Sequence, residues 1–178
     1  MGSERMKIEV PDEYFCAEEL KNTPKRVKRF WNEWLVKSNN FKFTTFKNPG
    51  YDQMVTLTNV QFYSMCAHHL LPFQGKIHVG YIPDKRICGL SKLARVIDKF
   101  SHKPQLQEKL TQEIANFLDE KLKPKGVAVL IEGEHMCMSC RGVKKPGAVT
   151  VTTALKGKFH EADVKQEFLD LVYSRRRD

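Results

Sequence analysis

Four segments of the chain carry apolar residues every three or four positions, which predicts four amphipathic helices. The first covers about residues 24 to 37 and has Thr23 as its N-cap. The second begins at Ser91, interpreted as another N-cap, and the third restarts at Pro104. The fourth closes the chain, and a shorter, weaker helix is predicted at residues 12 to 20.

Runs in which β-branched and aromatic residues alternate with polar ones predict β-strands between these helices. Short links such as NPG and LLPFQG join the first three runs and favour antiparallel neighbours. The middle of the chain therefore follows the order strand, strand, helix, helix, strand, strand. This order predicts an α+β fold with helices on one face of an antiparallel sheet. The predicted strands cover residues 41 to 46, 54 to 65, 75 to 83, 126 to 136 and 148 to 159.

At 178 residues, with 41% hydrophobic and 29% charged residues, the chain has the size and balance of one globular domain. It contains no run of eighteen apolar residues, and its start lacks the apolar stretch of a signal peptide. These features favour a cytoplasmic protein without a membrane partner. The five cysteines are odd in number and irregularly spaced, so they indicate metal binding or packing rather than a disulfide framework.

An excess of 30 Lys and Arg over 21 Asp and Glu gives the chain a net charge of +9. Such a field concentrates polyanions, and charge by itself leaves both nucleic acid and a nucleoside triphosphate as candidates. Part of the excess lies in the terminal SRRRD, where Arg175 to Arg177 are interpreted as a solvated tail.

Candidate metal ligands lie at the ends of two predicted strands. Cys66 and His69 are separated by two residues, a spacing that lets both side chains reach one tetrahedral ion, and zinc suits this donor set. The segment EHMCMSC adds Cys137 and Cys140 from the other strand pair. If both of these bind, the site is a closed structural one. If only Cys137 binds, a fourth position is left for water and the site is catalytic.

Neighbouring residues favour the open, catalytic alternative. His68 and His135 adjoin the candidate ligands, and a neutral imidazole is the usual general acid or base beside a metal-bound water. Arg141, Lys144 and Lys145 follow on the same loop and form a cationic patch suited to phosphates. Each feature also has an ordinary structural interpretation, because an imidazole can bond a backbone carbonyl and lysines can keep a loop solvated. The residues alone leave both geometries open.

Seven segments in the order found here resemble GTP cyclohydrolase I and together cover nearly everything from residue 22 to 172. The resemblance implies a tunnelling fold, an antiparallel sheet backed by two helices, assembled into a ring. It implies a homodecamer of two pentamers with sites at subunit interfaces, and a catalytic domain at residues 22 to 178 after an N-terminal segment at residues 1 to 21. The segments are NTPKRV, CAHHLLPF, GKIHVGYIP, GLSKLARV, PQLQEKLTQEIA, EHMCMSCRGV and TVTTALKGKF.

The activity implied by this resemblance is zinc-dependent hydrolysis of GTP. Carbon 8 is lost as formate and the product is 7,8-dihydroneopterin triphosphate, the first step of pterin, folate or 7-deazapurine synthesis. The implied zinc ligands are Cys66, His69 and Cys137, with Cys140 outside the metal shell. His135 resembles the family's general acid, and His68 the neighbouring imidazole that organises water.

The remaining matched positions are implied to contact the substrate. Glu108 resembles the carboxylate that reads guanine, since one carboxylate accepts from N1–H and the exocyclic amine together, and Gln107 assists it. Ser91 is matched as a further catalytic residue. A triphosphate requires several fixed cations. The matched ones are Arg26, Lys92, Arg95 and Arg141.

Two other functions stay open on the sequence. An enzyme with the same fold and zinc can stop early and release a formylated or ring-opened nucleotide. A basic protein with a structural zinc can bind RNA or DNA, although amphipathic helices separate the two half-sites here, unlike those of a compact zinc module. The favoured prediction is the cyclohydrolase, with no nucleic-acid partner.

Overall fold

The computed structural model describes residues 18–36 and 41–174, which belong to two compact units, one ending at Val36 and one following it. In the first unit a 3-10 turn, Glu18–Leu20, precedes helix α1, Thr23–Val36. The predicted helix at residues 24 to 37 is therefore confirmed over the described part. Most of the weaker helix predicted at residues 12 to 20 lies outside the described residues.

The second unit is built on a five-stranded sheet of order β5-β2-β3-β6-β7, antiparallel except where β5 runs parallel to β2. Two strands, two helices and two strands follow one another through this unit, so the predicted α+β order is confirmed. The elements are β1 (Thr45–Lys47), β2 (Val55–Cys66), β3 (Pro72–Ile82), β4 (Arg86–Cys88), α2 (Leu90–Ser101), β5 (Pro104–Gln105), α3 (Gln107–Leu122), β6 (Gly126–His135), α4 (Met136–Ser139), β7 (Val149–Gly157) and α5 (Ala162–Tyr173).

The first predicted strand differs from the structure in its partner. Only Thr45–Lys47 is extended in a ladder, and it pairs with β4 in a separate two-stranded sheet instead of joining β2. The apolar residues before it serve a different purpose, because the rings of Phe41 and Phe43 lie 6.3 and 5.3 Å from the ring of Phe117 on α3. Alternating aromatic residues here cover a helix and do not extend the sheet.

Both predicted starts of the central helices are wrong by a few residues. Helix α2 is capped at Gly89, and Ser91 lies exposed in its first turn. Pro104 does not begin α3 but forms the short strand β5 beside the end of β2, where the Ala67 amide donates to the Gln105 carbonyl at 2.9 Å. Proline fits an extended segment as well as a helix start, so its position alone did not distinguish them.

The two faces of the sheet are covered by different helices. On β6, Val127, Val129 and Ile131 point into the core formed with α2 and α3. Ala128 and Leu130 point the other way, into a smaller core closed by α5. The two central helices thus share one face, as predicted, and the last helix packs on the opposite one. Among the described residues, no helix combines the length and apolar character needed to cross a membrane.

Candidate metal centre and active site

Two candidate ligands come from the turn that ends β2. The Leu70 amide donates to the Cys66 carbonyl at 2.8 Å and the His69 amide donates to the same oxygen at 3.3 Å. Leu70 has a left-handed backbone, with φ of 51°, which reverses the chain toward β3. This tight turn brings the Cys66 sulfur within 3.9 Å of the His69 Nδ1 atom. The side chains of Cys66 and His69, which are separated by two residues in the sequence, therefore approach one common point, as predicted.

The third candidate ligand arrives from the end of β6, where α4 begins. The Cys137 sulfur lies 4.0 Å from the Cys66 sulfur. The donor atoms of Cys66, His69 and Cys137 all lie within 4.8 Å of one another. Tetrahedral zinc with bonds of about 2.3 Å to sulfur requires neighbouring sulfurs about 3.8 Å apart. The three donors fit zinc in both chemistry and spacing.

Cys140 is not part of this donor group. It follows α4 and is exposed, and its amide donates to the Met136 carbonyl at 3.0 Å. His68 is exposed too, and although its Nδ1 atom lies 4.0 Å from the Cys66 sulfur, it also falls outside the group. Among the described residues, the geometry thus gathers three donors, the number that catalytic zinc sites take from the protein.

The thiol of Cys137 is protonated more readily than an ordinary thiol. Burial raises its pKa most, the neighbouring Cys66 raises it further, and Arg141 opposes the shift. Because a metal takes the thiolate, the nearby guanidinium assists metal binding.

His135 is the most constrained imidazole beside this cluster. Its ring stacks on the ring of Phe73, with centroids 4.5 Å apart and planes 3° from parallel. Its Nε2 atom lies 2.8 Å from the Oε1 atom of Gln107. Burial lowers the pKa of His135, while the negative charge of Glu108 raises it. The ring is therefore held in a fixed plane next to the candidate ligand Cys137.

Most of the predicted substrate contacts lie on two helices of the second unit, α3 and α2. Glu108 is exposed in the first turn of α3, within electrostatic range of His135, whereas Gln107 beside it is buried. On α2, Ser91 and Arg95 are exposed and the Lys92 ammonium donates to the Lys42 carbonyl at 2.8 Å.

Two cations complete this set. Arg141 follows α4 in an exposed loop, where the Lys145 amide donates to the Met138 carbonyl at 2.8 Å. Arg26 lies on α1 in the first unit, where it is exposed, and its predicted role stays a prediction.

Three residues that shape the site are not among the site residues predicted from the sequence. Phe73 supplies the surface under His135, Thr152 holds Gln107, and Gly133 leaves room for the Gln107 carboxamide. Phe73 looks like any core residue in the sequence. Gly133, an isolated glycine inside a strand pattern, was the one available signal of a close approach.

Two cysteine sulfurs and one imidazole placed beside an ordered second imidazole are typical of a zinc enzyme's catalytic site. The family model described as GTP cyclohydrolase I matches residues 5–173, and the chain belongs to that family.

Curated relatives agree with this assignment. The chain is 51% identical over 162 residues to GTP cyclohydrolase 1 of Sulfurihydrogenibium sp., covering 90% of this chain and 86% of the relative. It is 54% identical over 157 residues to that of Aquifex aeolicus, covering 87% and 85%. Among solved structures, the apo archaeosine synthase QueF-Like has a TM-score of 0.49 and 18% identity, over 62% of this chain and 97% of that one.

Proposed function

We propose that this chain is a GTP cyclohydrolase I, which hydrolyses the imidazole ring of GTP, releases formate and yields 7,8-dihydroneopterin triphosphate. The observation that carries the proposal is the cluster of Cys66, His69 and Cys137 next to the stacked imidazole of His135. Identities near one half with proteins named GTP cyclohydrolase 1 support it over most of the chain.

Carbon 8 of guanine is a poor electrophile, so both the attacking water and the ring must be activated. Cys66, His69 and Cys137 would hold a zinc ion, whose Lewis acidity would lower the pKa of water toward about 7. His135 donates a proton to N7 of guanine, which makes carbon 8 more electrophilic. His68, exposed and 4.0 Å from the Cys66 sulfur, is free to orient water beside the cluster.

Recognition of guanine falls to the start of α3. The Glu108 carboxylate accepts from N1–H and from the exocyclic amine, a pairing that a single carboxylate makes in bidentate fashion. Its electrostatic effect on His135 supports placing the base between these two residues. Gln107 is buried beside Glu108 and contacts His135, so its contribution reaches the base through that imidazole.

The triphosphate is assigned to cations near helix ends. Ser91 and Lys92 lie in the first turn of α2 and Arg95 one turn later, where backbone amides and the helix dipole favour negative charge. Arg141 supplies a further guanidinium from the loop after α4, and Arg26 is proposed as the cation from the first unit. Ser91 is proposed to donate its hydroxyl to the substrate.

The assembly and setting of the enzyme follow from the family and form part of the proposal. The chain is proposed to form a ring-shaped homodecamer of two pentamers, with active sites at subunit interfaces, in the cytoplasm. The product would feed pterin, folate or 7-deazapurine synthesis.

The test is to incubate purified protein with GTP and zinc and then to oxidise the mixture with iodine. We expect equal amounts of formate and fluorescent neopterin triphosphate. Substituting His135→Asn should lower the rate by about 10²- to 10⁴-fold, the usual contribution of a general acid, without changing zinc content. His160→Asn, the same exchange at an exposed position after β7, is the control and should leave the rate intact. Formate without the fluorophore would instead indicate the reaction that stops at a ring-opened nucleotide.

A further inference from the structure

The carboxamide of Gln107 is surrounded by protein groups that differ on its two sides. Gln107 begins α3 with a side chain that is 2% exposed. Its Nε2 atom lies 2.9 Å from the Thr150 carbonyl, 3.2 Å from the Ile131 carbonyl and 3.1 Å from the Thr152 hydroxyl. Its Oε1 atom lies 2.8 Å from the Nε2 atom of His135. The side chain thus links the ends of α3, β6 and β7 at one point.

The two backbone carbonyls fix which way the carboxamide faces. A carbonyl oxygen only accepts hydrogen bonds, so the amide nitrogen of Gln107 must face Thr150 and Ile131. The carboxamide oxygen then faces His135, and this oxygen also only accepts. The hydrogen in the 2.8 Å contact must therefore belong to His135, on its Nε2 atom. When this ring holds one proton, Nδ1 is left as the nitrogen with the free lone pair.

Two threonine hydroxyls reinforce this assignment. The Thr111 hydroxyl donates to the backbone carbonyl of Gln107 at 2.7 Å, so the hydrogen of this hydroxyl is already used. In the 2.7 Å contact between the two hydroxyls, Thr152 must then donate to Thr111. The Thr152 oxygen is thereby left to accept from Gln107. Reversing the amide would place its oxygen against the backbone carbonyl oxygens of Thr150 and Ile131, so these two contacts exclude the reversed orientation.

The same region leaves no room for an alternative placement. A Cβ atom at position 133 would overlap the Gln107 Oε1 atom, so only glycine allows the carboxamide its position. On the ring itself, Phe73 is fully buried and lies parallel to His135. Phe73 sets the plane of the imidazole, and Gln107 sets its rotation within that plane.

We infer that Gln107 is a positioning residue that holds one proton of His135 on Nε2, so that the proton which His135 gives to the substrate is a second one, carried on Nδ1. This inference rests on the proposed function for the identity of the substrate, but the bond between the two side chains does not. It moves Gln107 from direct guanine recognition to control of the general acid. A positioning role predicts losses in kcat, whereas direct recognition predicts losses in binding.

The kinetic test is Gln107→Met, which keeps the length of the side chain and removes its polar atoms. We expect kcat to fall about 10- to 100-fold, as for other groups that orient a catalytic imidazole. The affinity of the zinc-stripped protein for GTP, measured by calorimetry, should change by less than about twofold if no direct contact is lost. If kcat were unchanged and the dissociation constant for GTP rose by about 10- to 100-fold instead, the inference would be overturned.

The spectroscopic test does not need activity. In protein labelled with ¹⁵N-histidine and studied by solid-state NMR, His135 is assigned from the signals that disappear in His135→Asn. We expect a protonated Nε2 atom whose hydrogen-bonded proton shift is lost in Gln107→Met. Finding the proton on Nδ1, or an unchanged Nε2 signal in the variant, would overturn the inference. Because this result is independent of turnover, it stands even if GTP proves not to be the substrate.

A second pair of variants covers the case in which Gln107→Met fails to fold. Thr152→Val removes the hydroxyl that accepts from the carboxamide but keeps the volume of the side chain. It should reduce the hydrogen-bonded proton shift at His135 Nε2, as Gln107→Met does, and should lower kcat by a smaller factor than Gln107→Met. Thr152→Ser restores the hydroxyl and should rescue both. Equal behaviour of the two variants would contradict the proposed network.

Discussion

The two ends of β6 show how one strand can serve both stability and chemistry. From Val127 to Ile131 every side chain is at most 1% exposed, with α2 and α3 on one face and α5 on the other. From Glu132 to His135 the strand becomes more polar, and the side chains of Glu132 and Glu134 border an open cavity of about 980 Å³. The first end is packed like a protein interior, and the second delivers His135 and Cys137 to the candidate site.

This contrast explains why the site can be both rigid and accessible. The buried end fixes the register of β6 against β3, in which Val129 pairs with Val79 and His135 with Phe73. A one-residue slip would turn every side chain to the opposite face, so packing at one end determines geometry at the other. Substitutions at the polar end should therefore cost function, and those at the apolar end should cost stability.

The largest effect should come from removing a donor at the polar end. Cys137→Ser is expected to abolish most zinc binding and nearly all activity, because the ion would lose one of its three proposed protein ligands. The secondary structure should persist, since the packed end of β6 is unchanged. Metal analysis of the dialysed protein together with circular dichroism would measure both.

Cys140→Ser is the matched variant, two positions beyond Met138 in the same segment. It should retain zinc at the level of the parent protein, because the Cys140 thiol lies outside the donor group. Loss of zinc in this variant as well would indicate a four-ligand structural site and remove the basis for the proposed hydrolysis.

The next effect belongs to the apolar end. Leu130 is 1% exposed in the core under α5, and Leu130→Ala should lower the free energy of unfolding by about 2–5 kcal/mol through lost contacts and a cavity. Leu130→Met keeps the volume and should cost less than about 1.5 kcal/mol. Urea denaturation gives both values. If zinc per folded chain also fell in Leu130→Ala, the two ends of β6 would not be separable.

A smaller effect is expected at Glu108, which faces the polar end from α3. Glu108→Gln should raise the Michaelis constant for GTP about 10- to 100-fold, because a charged hydrogen-bonding group contributes about 1.5–3 kcal/mol. It should also abolish the preference for GTP over inosine triphosphate, which lacks the exocyclic amine. Glu120→Gln, the same exchange at an exposed acid of the same helix, is the control. A preserved preference for GTP in Glu108→Gln would exclude this residue as the guanine reader.

Much of the fold could be predicted from hydrophobic periodicity, because apolar and polar residues follow a regular pattern in the central strands and helices. The order of the central strands and helices was predicted correctly, and Cys66 with His69 was identified from spacing within one turn. The start of α3 was missed because Pro104 and Gln105 are extended only through their contact with β2, a partner nearly forty residues earlier. A contact with so distant a segment cannot be predicted from the local sequence.

The network around His135 was also beyond the sequence. The matched motif predicts that Gln107 assists Glu108 in guanine recognition, and this stays a prediction. Its actual contacts depend on the pairing of β6 with β7, which places Thr150 opposite Gly133 and Thr152 opposite Ile131. Residue types predicted which chemistry is present, whereas strand register determines which atoms meet.

The smallest effect should be a pH dependence confined to the apolar end. Tyr81 pairs with Val127, and burial raises its pKa to about 12, with the neighbouring Cys88 thiol adding to the shift. Below pH 10 both folded and unfolded chains keep the phenol proton, so the shift has no effect on stability. As pH rises from about 10 toward 12, only the unfolded chain loses the proton, and stability falls by about 1.4 kcal/mol at pH 11. Tyr81→Phe should remove that part of the decline in the free energy of unfolding between pH 8 and pH 11, measured by urea denaturation. Parallel declines in the two proteins would show that Tyr81 is not the titrating group.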